Sequence, residues 1–244
     1  MNEILKELSS LLLNREVVTC EEIERKAIRA IIRAKSVEAL NLGEELIKEI
    51  VKSYVECPIS LHSFHYSEKL EIEDIAFYHL HTSKPTKEDF QKAYSEYLIS
   101  KQFLSALSKM KSILDEFFNG YEARKGIVRE YSQDNYKYAV FFSMLADISE
   151  DLQTHLNFAS EYSGEYVIIT LGEKTPEPFI NFYQQYSEQI KSANIKIWVA
   201  DVDKASIDPF IGYPRDLKLL KRFKNPKLAT HIESLWRTKV EKID

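Results

Sequence analysis

The sequence predicts an α+α/β protein: a helical amino-terminal domain ending in a long central helix, then a small three-layer α/β domain with a parallel, Rossmann-like sheet. Three observations lead there. Apolar residues recur at helical spacing through the first 55 positions and again from Phe90 to Phe118. Three compact apolar runs then begin at Tyr138, Glu165 and Ile195, separated by amphipathic stretches. The 244 residues are 44% hydrophobic with only 6 Gly and 7 Pro, which is enough apolar material for a sizeable core and argues against long disorder. The expected domains are 1–125 and 126–244.

In the first domain, Ile4, Leu5, Leu8, Leu11 and Leu12 form one helical stripe. Ile23, Ala27, Ile31 and Ala34 form a second, and Leu46, Ile47, Ile50, Val51 and Tyr54 a third. Thr19 is placed to cap the second helix, where Glu21 with Arg25 and Glu22 with Lys26 make pairs four apart. Gly43 punctuates the step into the third. Residues 59–82 change character: ISLHSFHYS and IAFYHLHTS are short, aromatic and β-branched, and the charged run EKLEIED separates them. An antiparallel hairpin is expected there, although EDIAFYHLH also fits a helical turn.

Thr86 opens a helix predicted over 86–118, which Asn119 and Gly120 stop. A helix that long is the spine of a domain or the seam of a homodimer. Within it, Lys111, Leu114, Phe117 and Phe118 resemble the sliding-clamp-binding box Q-x-x-L-x-x-F-F, with lysine in place of glutamine. The same residues belong to the helical stripe, so burial in a core is the simpler reading.

The second domain alternates. YAVFFSML, EYVIITLG and IKIWVADV are near-continuous hydrophobic runs, as expected of strands buried on both faces in a parallel sheet. Ile148, Leu152, Leu156 and Ala159 mark the helix after the first, and Phe179, Tyr183, Tyr186 and Ile190 the helix after the second. Thr175 and Pro176 suit the start of that second helix, because proline lacks only an N–H that has no helical partner there. Helices beginning near Pro214 and Pro226 close the domain, the first with Leu217, Leu220 and Phe223 facing inward.

Open parallel sheets bind ligands beyond the carboxyl ends of their strands, where loops and helix amino termini converge. The residues expected at that edge are Ser143 and Asp147, then Thr170, Gly172 and Glu173, then Asp201 and Asp203. Asp147, Glu173, Asp201 and Asp203 together suggest oxygen ligands for Mg²⁺ and metal-assisted phosphodiester chemistry. Asp201 and Asp203 resemble part of the acidic motif of toprim-type nucleic-acid enzymes, without the glycine and glutamate of that pattern. The blander reading makes Asp147 a helix cap with Glu150 at the capping-box position, and Glu173 a turn residue. No G-x-G-x-x-G, G-x-x-x-x-G-K-[ST] or G-x-S-x-G occurs, which argues against dinucleotide, P-loop and hydrolase chemistry.

His62, His65, His79 and His81, with Cys57 nearby, are nitrogen and sulfur groups that a hairpin would gather as zinc ligands, although the spacing matches no structural zinc pattern. Partly buried histidines bonded to backbone are the alternative. The net charge of -5 is uneven: from Pro214 onward nine Lys or Arg face four Asp or Glu. Arg215, Lys218, Lys221, Arg222, Lys224 and Lys227 lie beside Phe210, Tyr213, Phe223 and Trp236, a mixture suited to nucleic-acid phosphates and stacked bases. The competing reading is a solvated amphipathic helix. Arg25, Arg29 and Arg33 offer a second basic face, offset by Glu21, Glu22 and Glu24.

Two cysteines fit a reducing, cytoplasmic setting, and no run approaches the roughly 20 apolar residues of a membrane span. The opening MNEILKELSSLLLNRE carries Glu3 and Glu7 and does not read as an export signal. Abundant Lys, Glu, Ile and Tyr with few Gly suit a thermophilic host. The function expected first is a non-catalytic binding or regulatory protein without a cofactor, whose partner is a nucleic acid or a protein. Its layout is similar to that of archaeal regulators that join a helical DNA-binding part through a long helix to an α/β effector domain. The alternative is the Mg²⁺-dependent phosphodiesterase or nuclease.

Overall fold

A computed structural model describes residues 1–56, 69–72, 74–80 and 84–241. The chain divides into two compact units, Met1–Ser105 and Ala106–Asp244. Among the described residues no helix is long and apolar enough to cross a membrane.

The first unit runs α1 (Asn2–Leu11), β1 (Val17–Thr19), α2 (Cys20–Lys35), a 3-10 turn (Ser36–Asn41), α3 (Glu45–Glu56), β2 (Lys69–Ile72), β3 (Ile75–His79) and the start of α4 (Lys87–Phe117). The three helical stripes become α1, α2 and α3, with Ile4, Leu8, Ile23, Ala27, Ile31 and Ile50 buried. The Thr19 hydroxyl accepts from the Glu22 N–H at 3.3 Å, as its capping position predicts. α4 begins with a reciprocal cap: the Asp89 carboxylate accepts from the Thr86 N–H, and the Thr86 hydroxyl accepts from the Asp89 N–H.

The hairpin differs from expectation. Its first strand is KLEI, inside the charged run, and it reverses between Ile72 and Ile75 with Asp74 in the left-handed region at φ 63°. ISLHSFHYS lies outside the described residues. β1, a strand the helical reading overlooked, pairs antiparallel with β3, giving the order β1-β3-β2. Val17, Phe77 and Ala93 form a small core there, with Ile75 and Phe90 against it.

Arg25 is buried, not part of an outward basic face. Its Nε donates to Ser100 Oγ at 3.1 Å, and its Nη2 lies 2.7 Å from Glu96 Oε2. Glu22 is fully buried between Arg15 Nε at 2.9 Å and Lys26 Nζ at 2.8 Å. Lys26 also donates to the Leu11 carbonyl, so these paired charges tie α2 to the end of α1.

The second unit contains the end of α4, then β4 (Glu122–Arg124), β5 (Arg129–Gln133), β6 (Tyr136–Phe142), α5 (Leu145–Glu150), α6 (Leu152–Glu161), β7 (Glu165–Leu171), α7 (Glu177–Ser192), β8 (Lys196–Asp201), β9 (Ser206–Ile211), α8 (Leu217–Leu220) and α9 (Leu228–Glu241). Its sheet has the order β4-β5-β6-β7-β8-β9. The expected runs β6, β7 and β8 are adjacent and parallel. The sheet is nevertheless mixed, which corrects the all-parallel expectation: β4, β5 and β9 flank that core antiparallel. β5 reads as polar in sequence, and β9 carries Pro209, a residue confined to sheet edges because it cannot donate to a ladder.

The strand order advances one step at each crossover, so right-handed connections put α5, α6 and α7 on one face. Phe158 stacks on Tyr166 from α6, while Phe179, Phe182 and Tyr183 of α7 surround Phe210. The other face is covered by the end of α4: Phe118 stacks at 4.3 Å on Tyr131 and contacts Tyr138, and Phe117 and Phe223 meet the edge of fully buried Trp198. Leu114, Phe117 and Phe118 are therefore core residues of this unit and not a clamp-binding box. Around Pro214 the helix is only α8, with Leu219 and Phe223 buried and Leu217 68% exposed, so the expected inward face is shifted.

Candidate functional site

Beyond the carboxyl ends of β7 and β8 lies a cleft of about 610 Å³. The loop after β7 supplies Gly172, Glu173, Lys174, Thr175 and Pro176, and the turn after β8 supplies Asp201 and Lys204. Ser206, Asp208 and Phe210 face it from β9; Lys224, Asn225, Leu228 and Ile232 close it from the start of α9. Its floor is apolar, made by Phe179, Val199, Phe210, Leu228 and Ile232.

The alternation of β9 explains the side chains: Phe210 faces α7, so Ser206 and Asp208, two and four residues earlier, face the same way. Gly172 is not required there for conformation. A Cβ on it would find only the Val199 side chain, at 3.9 Å.

The charges in the cleft divide into satisfied and unsatisfied groups. Asp201 accepts from the N–H groups of Asp203 and Lys204 and pairs with Lys204 Nζ at 2.8 Å. The hydrogen bond from Lys204 is the largest cause holding its carboxyl below the usual range, with the backbone N–H of Lys204 next. Asp208 is 9% exposed; it accepts from the Asn225 N–H and, at 3.3 Å, from the Ser206 hydroxyl. Lys174, Lys224 and Glu173 are exposed and, among the described residues, form no ion pair.

Of the edge residues expected from sequence, Gly172, Glu173 and Asp201 line the cleft. Ser143 and Thr170 are buried beneath it, the Ser143 N–H bonding to the Ile169 carbonyl at 3.0 Å. Asp147 is 4% exposed within α5, whose N-cap is Met144, so it is not the cap the sequence suggested. Asp203 is exposed and contributes its backbone to the Asp201 turn. Among the described residues no three His, Cys, Asp or Glu side chains are grouped to hold a metal ion, so Asp147, Glu173, Asp201 and Asp203 do not form the expected Mg²⁺ set. The reason is local: Asp201 closes its own turn, and Asp147 lies on a different loop from the cleft.

His79 is half-buried, its Nε2 3.9 Å from Glu16 Oε2. His62, His65, His81 and Cys57 lie outside the described residues. In the basic segment, Arg222 is structural: its Nη1 donates to the carbonyls of Phe117 at 2.6 Å and Asn119 at 2.9 Å, capping α4, and its guanidinium lies over Tyr121. The Arg215 N–H donates to Glu165, which pairs with Lys196 at 2.8 Å in the interior. Asp216 caps α8 and accepts from the Tyr121 hydroxyl. Burial, then that bond, pushes the Tyr121 phenol far above its usual range. Lys218, Lys221, Lys224 and Lys227 are exposed, and of these only Lys224 lines the cleft.

Sequence reading missed Lys174, Lys204, Asp208, Phe210, Leu228 and Ile232 as site residues. One signal was available: Lys174-Thr175-Pro176 and Lys224-Asn225-Pro226 repeat a Lys-polar-Pro pattern ahead of the two helices that start at the cleft. No histidine or cysteine lines the cleft, and its serine faces only a carboxylate, so no nucleophile with an adjacent base is assembled there.

Residues 96–225 match the family model described as Domain of unknown function (DUF6834), C-terminal domain. Residues 3–94 match the model described as Domain of unknown function (DUF6846). No curated protein matches the chain.

Proposed function

The chain belongs to the family described as Domain of unknown function (DUF6834), C-terminal domain, and we propose that it works there as a non-catalytic, ligand-binding regulatory protein. The observation that carries this reading is the cleft: it has the volume of a small-molecule site, an apolar floor and a few polar groups, at the strand edge where open α/β sheets hold ligands. Its lining lacks a nucleophile–base pair, which favours binding over turnover.

The first unit supports the regulatory part. α2, the 3-10 turn and α3 are successive packed helices, followed by the β2–β3 hairpin with β1 closing the sheet. This is the element order of winged helix-turn-helix modules, whose second helix meets a nucleic-acid groove. α3 exposes Lys48, Lys52 and Ser53 together with Glu45 and Glu49, so its charge is balanced. Self-association through α4 belongs to the same reading, because Tyr94, Leu98 and Ile99 are exposed on it. Light scattering tests it: a monomer at high concentration argues against that seam.

Gly172→Phe tests the ligand site, since the added ring enters the cleft without backbone strain. A panel of small metabolites is screened by thermal shift on wild type and variant, with each hit checked by NMR for chemical change. Ligands that raise Tm only in the wild type and are recovered intact support the proposal. Conversion of a hit, or hits indifferent to Gly172→Phe, defeats it.

A nucleic-acid partner is a second reading, favoured by the exposure of Arg215, Lys218, Lys221, Lys224 and Lys227. Anisotropy titrations with single-stranded and duplex oligonucleotides at two salt concentrations test it. Affinity that is absent, or insensitive to salt, removes it.

A further inference from the structure

We infer that the ligand of the cleft is a small organic anion with a planar apolar body, its charge met by Lys174 and Lys224 and its body by the floor around Phe179 and Phe210. The inference rests on reading the cleft as a ligand site and adds the chemical class that it takes.

Charge matching sets the sign. Of the three carboxylates in the lining, Asp201 is neutralised by Lys204 across its own turn. Asp208 is turned to the Asn225 N–H and the Ser206 hydroxyl. That leaves Glu173 at the rim against two ammonium groups, Lys174 and Lys224, which form no ion pair among the described residues. α7 and α9, of 16 and 14 residues, pack on each other and both begin at this cleft, so their dipoles add field of the same sign. Neither lysine depends on the other for position, because each is fixed two residues ahead of a proline.

The floor sets the body. Phe179 and Phe210 meet edge to face with centroids 4.9 Å apart, both nearly buried, beside Val199 and Ile232. An aromatic or similarly flat group gains dispersion and desolvation there, whereas a fully hydrated ion such as inorganic phosphate gains neither.

The test uses the full chain and two dyes: 1-anilinonaphthalene-8-sulfonate, a planar anion, and the uncharged N-phenyl-1-naphthylamine. Wild type is expected to bind the sulfonate, with Kd raised about tenfold in Lys174→Gln/Lys224→Gln and restored by Lys174→Arg/Lys224→Arg. The uncharged dye is expected to respond much less to these changes. Benzoate and adenosine 5′-monophosphate, a carboxylate and a phosphate, serve as competing anions, with benzylamine and adenosine as matched non-anions. Displacement by either anion and by neither non-anion supports the inference, and the stronger anion tells carboxylate from phosphate.

Equal displacement by benzylamine or adenosine, or a sulfonate affinity untouched by the lysine changes, overturns the anion class while leaving the site intact. Dye binding that Gly172→Phe does not reduce, or no dye binding at all, overturns the site itself and the inference with it. All four lysine variants alter exposed side chains, so their folding is not in question.

Discussion

Lys204 Nζ lies 2.8 Å from Asp201 Oδ2 across the turn that joins β8 to β9, and the other oxygen of the same carboxylate accepts two backbone N–H groups of that turn. The carboxylate most exposed to metal-based interpretation is thus the cap of its own loop. The pair also fixes how the cleft reads electrically, because it removes one negative charge from the lining.

The Asp201 carboxyl is held below its usual range, so its contribution to stability is present above the unfolded-state pKa, near 4, and fades as pH falls through the lower folded value. Asp201→Asn is expected to cost a fraction of a kcal/mol at pH 7, because solvent screens the pair. Urea titrations of wild type and variant at pH 7 and pH 3 check this. A difference as large at pH 3 as at pH 7 contradicts the assignment.

Trp198 is fully buried, ringed by Phe117, Phe118 and Phe223, and its indole N–H donates to the Gly212 carbonyl at 3.1 Å. Trp198→Ala is expected to destabilise the second unit by about 3–5 kcal/mol. Denaturant unfolding followed by circular dichroism measures it, and a cost below about 1 kcal/mol excludes this packing.

Glu22 has no solvent contact and holds both Arg15 and Lys26. Glu22→Leu alone leaves Lys26 buried without its carboxylate and is expected to cost about 3–5 kcal/mol. Glu22→Leu/Lys26→Met removes both charges and is expected to recover much of that loss. A double-mutant cycle by urea unfolding gives the coupling; additive losses contradict a shared buried network.

Arg222→Ala removes two hydrogen bonds to carbonyls at the end of α4 and is expected to cost about 1–2 kcal/mol while leaving oligonucleotide affinity unchanged. Lys218→Glu/Lys221→Glu is expected to do the reverse, with near-native Tm and altered affinity wherever affinity exists. Thermal melts and anisotropy on the same samples separate the two. An Arg222→Ala protein of native stability refutes the capping role.

Much of the fold was legible because helices and buried strands write their period locally. The caps at Thr19 and Thr86 and the runs that became β6, β7 and β8 needed no distant partner to recognise. β5 and β9 escaped notice because edge and hairpin strands take their meaning from the strand they pair with: REYSQ is polar by itself, and SIDPFI contains a proline. At the site, Gly172, Glu173 and Asp201 were foreseen from the strand-end rule. Asp147 was not separable from them in sequence, since a residue just past a strand looks alike whether it faces the cleft or the interior.

What the chain by itself determined, then, is the succession of helices and the parallel heart of the second unit, since these follow from side-chain periodicity over neighbouring residues. Only the tertiary structure decided which charges are free. It brought the start of α9 beside the loop after β7, fifty residues earlier, and so put Lys224 next to the same cleft as Lys174. It also consumed Arg222 on the carbonyls of α4, about a hundred residues away. Whether a lysine, arginine or aspartate serves a ligand or the fold depends on which groups fall within about 3 Å of it, a relation between distant segments that local spacing does not encode.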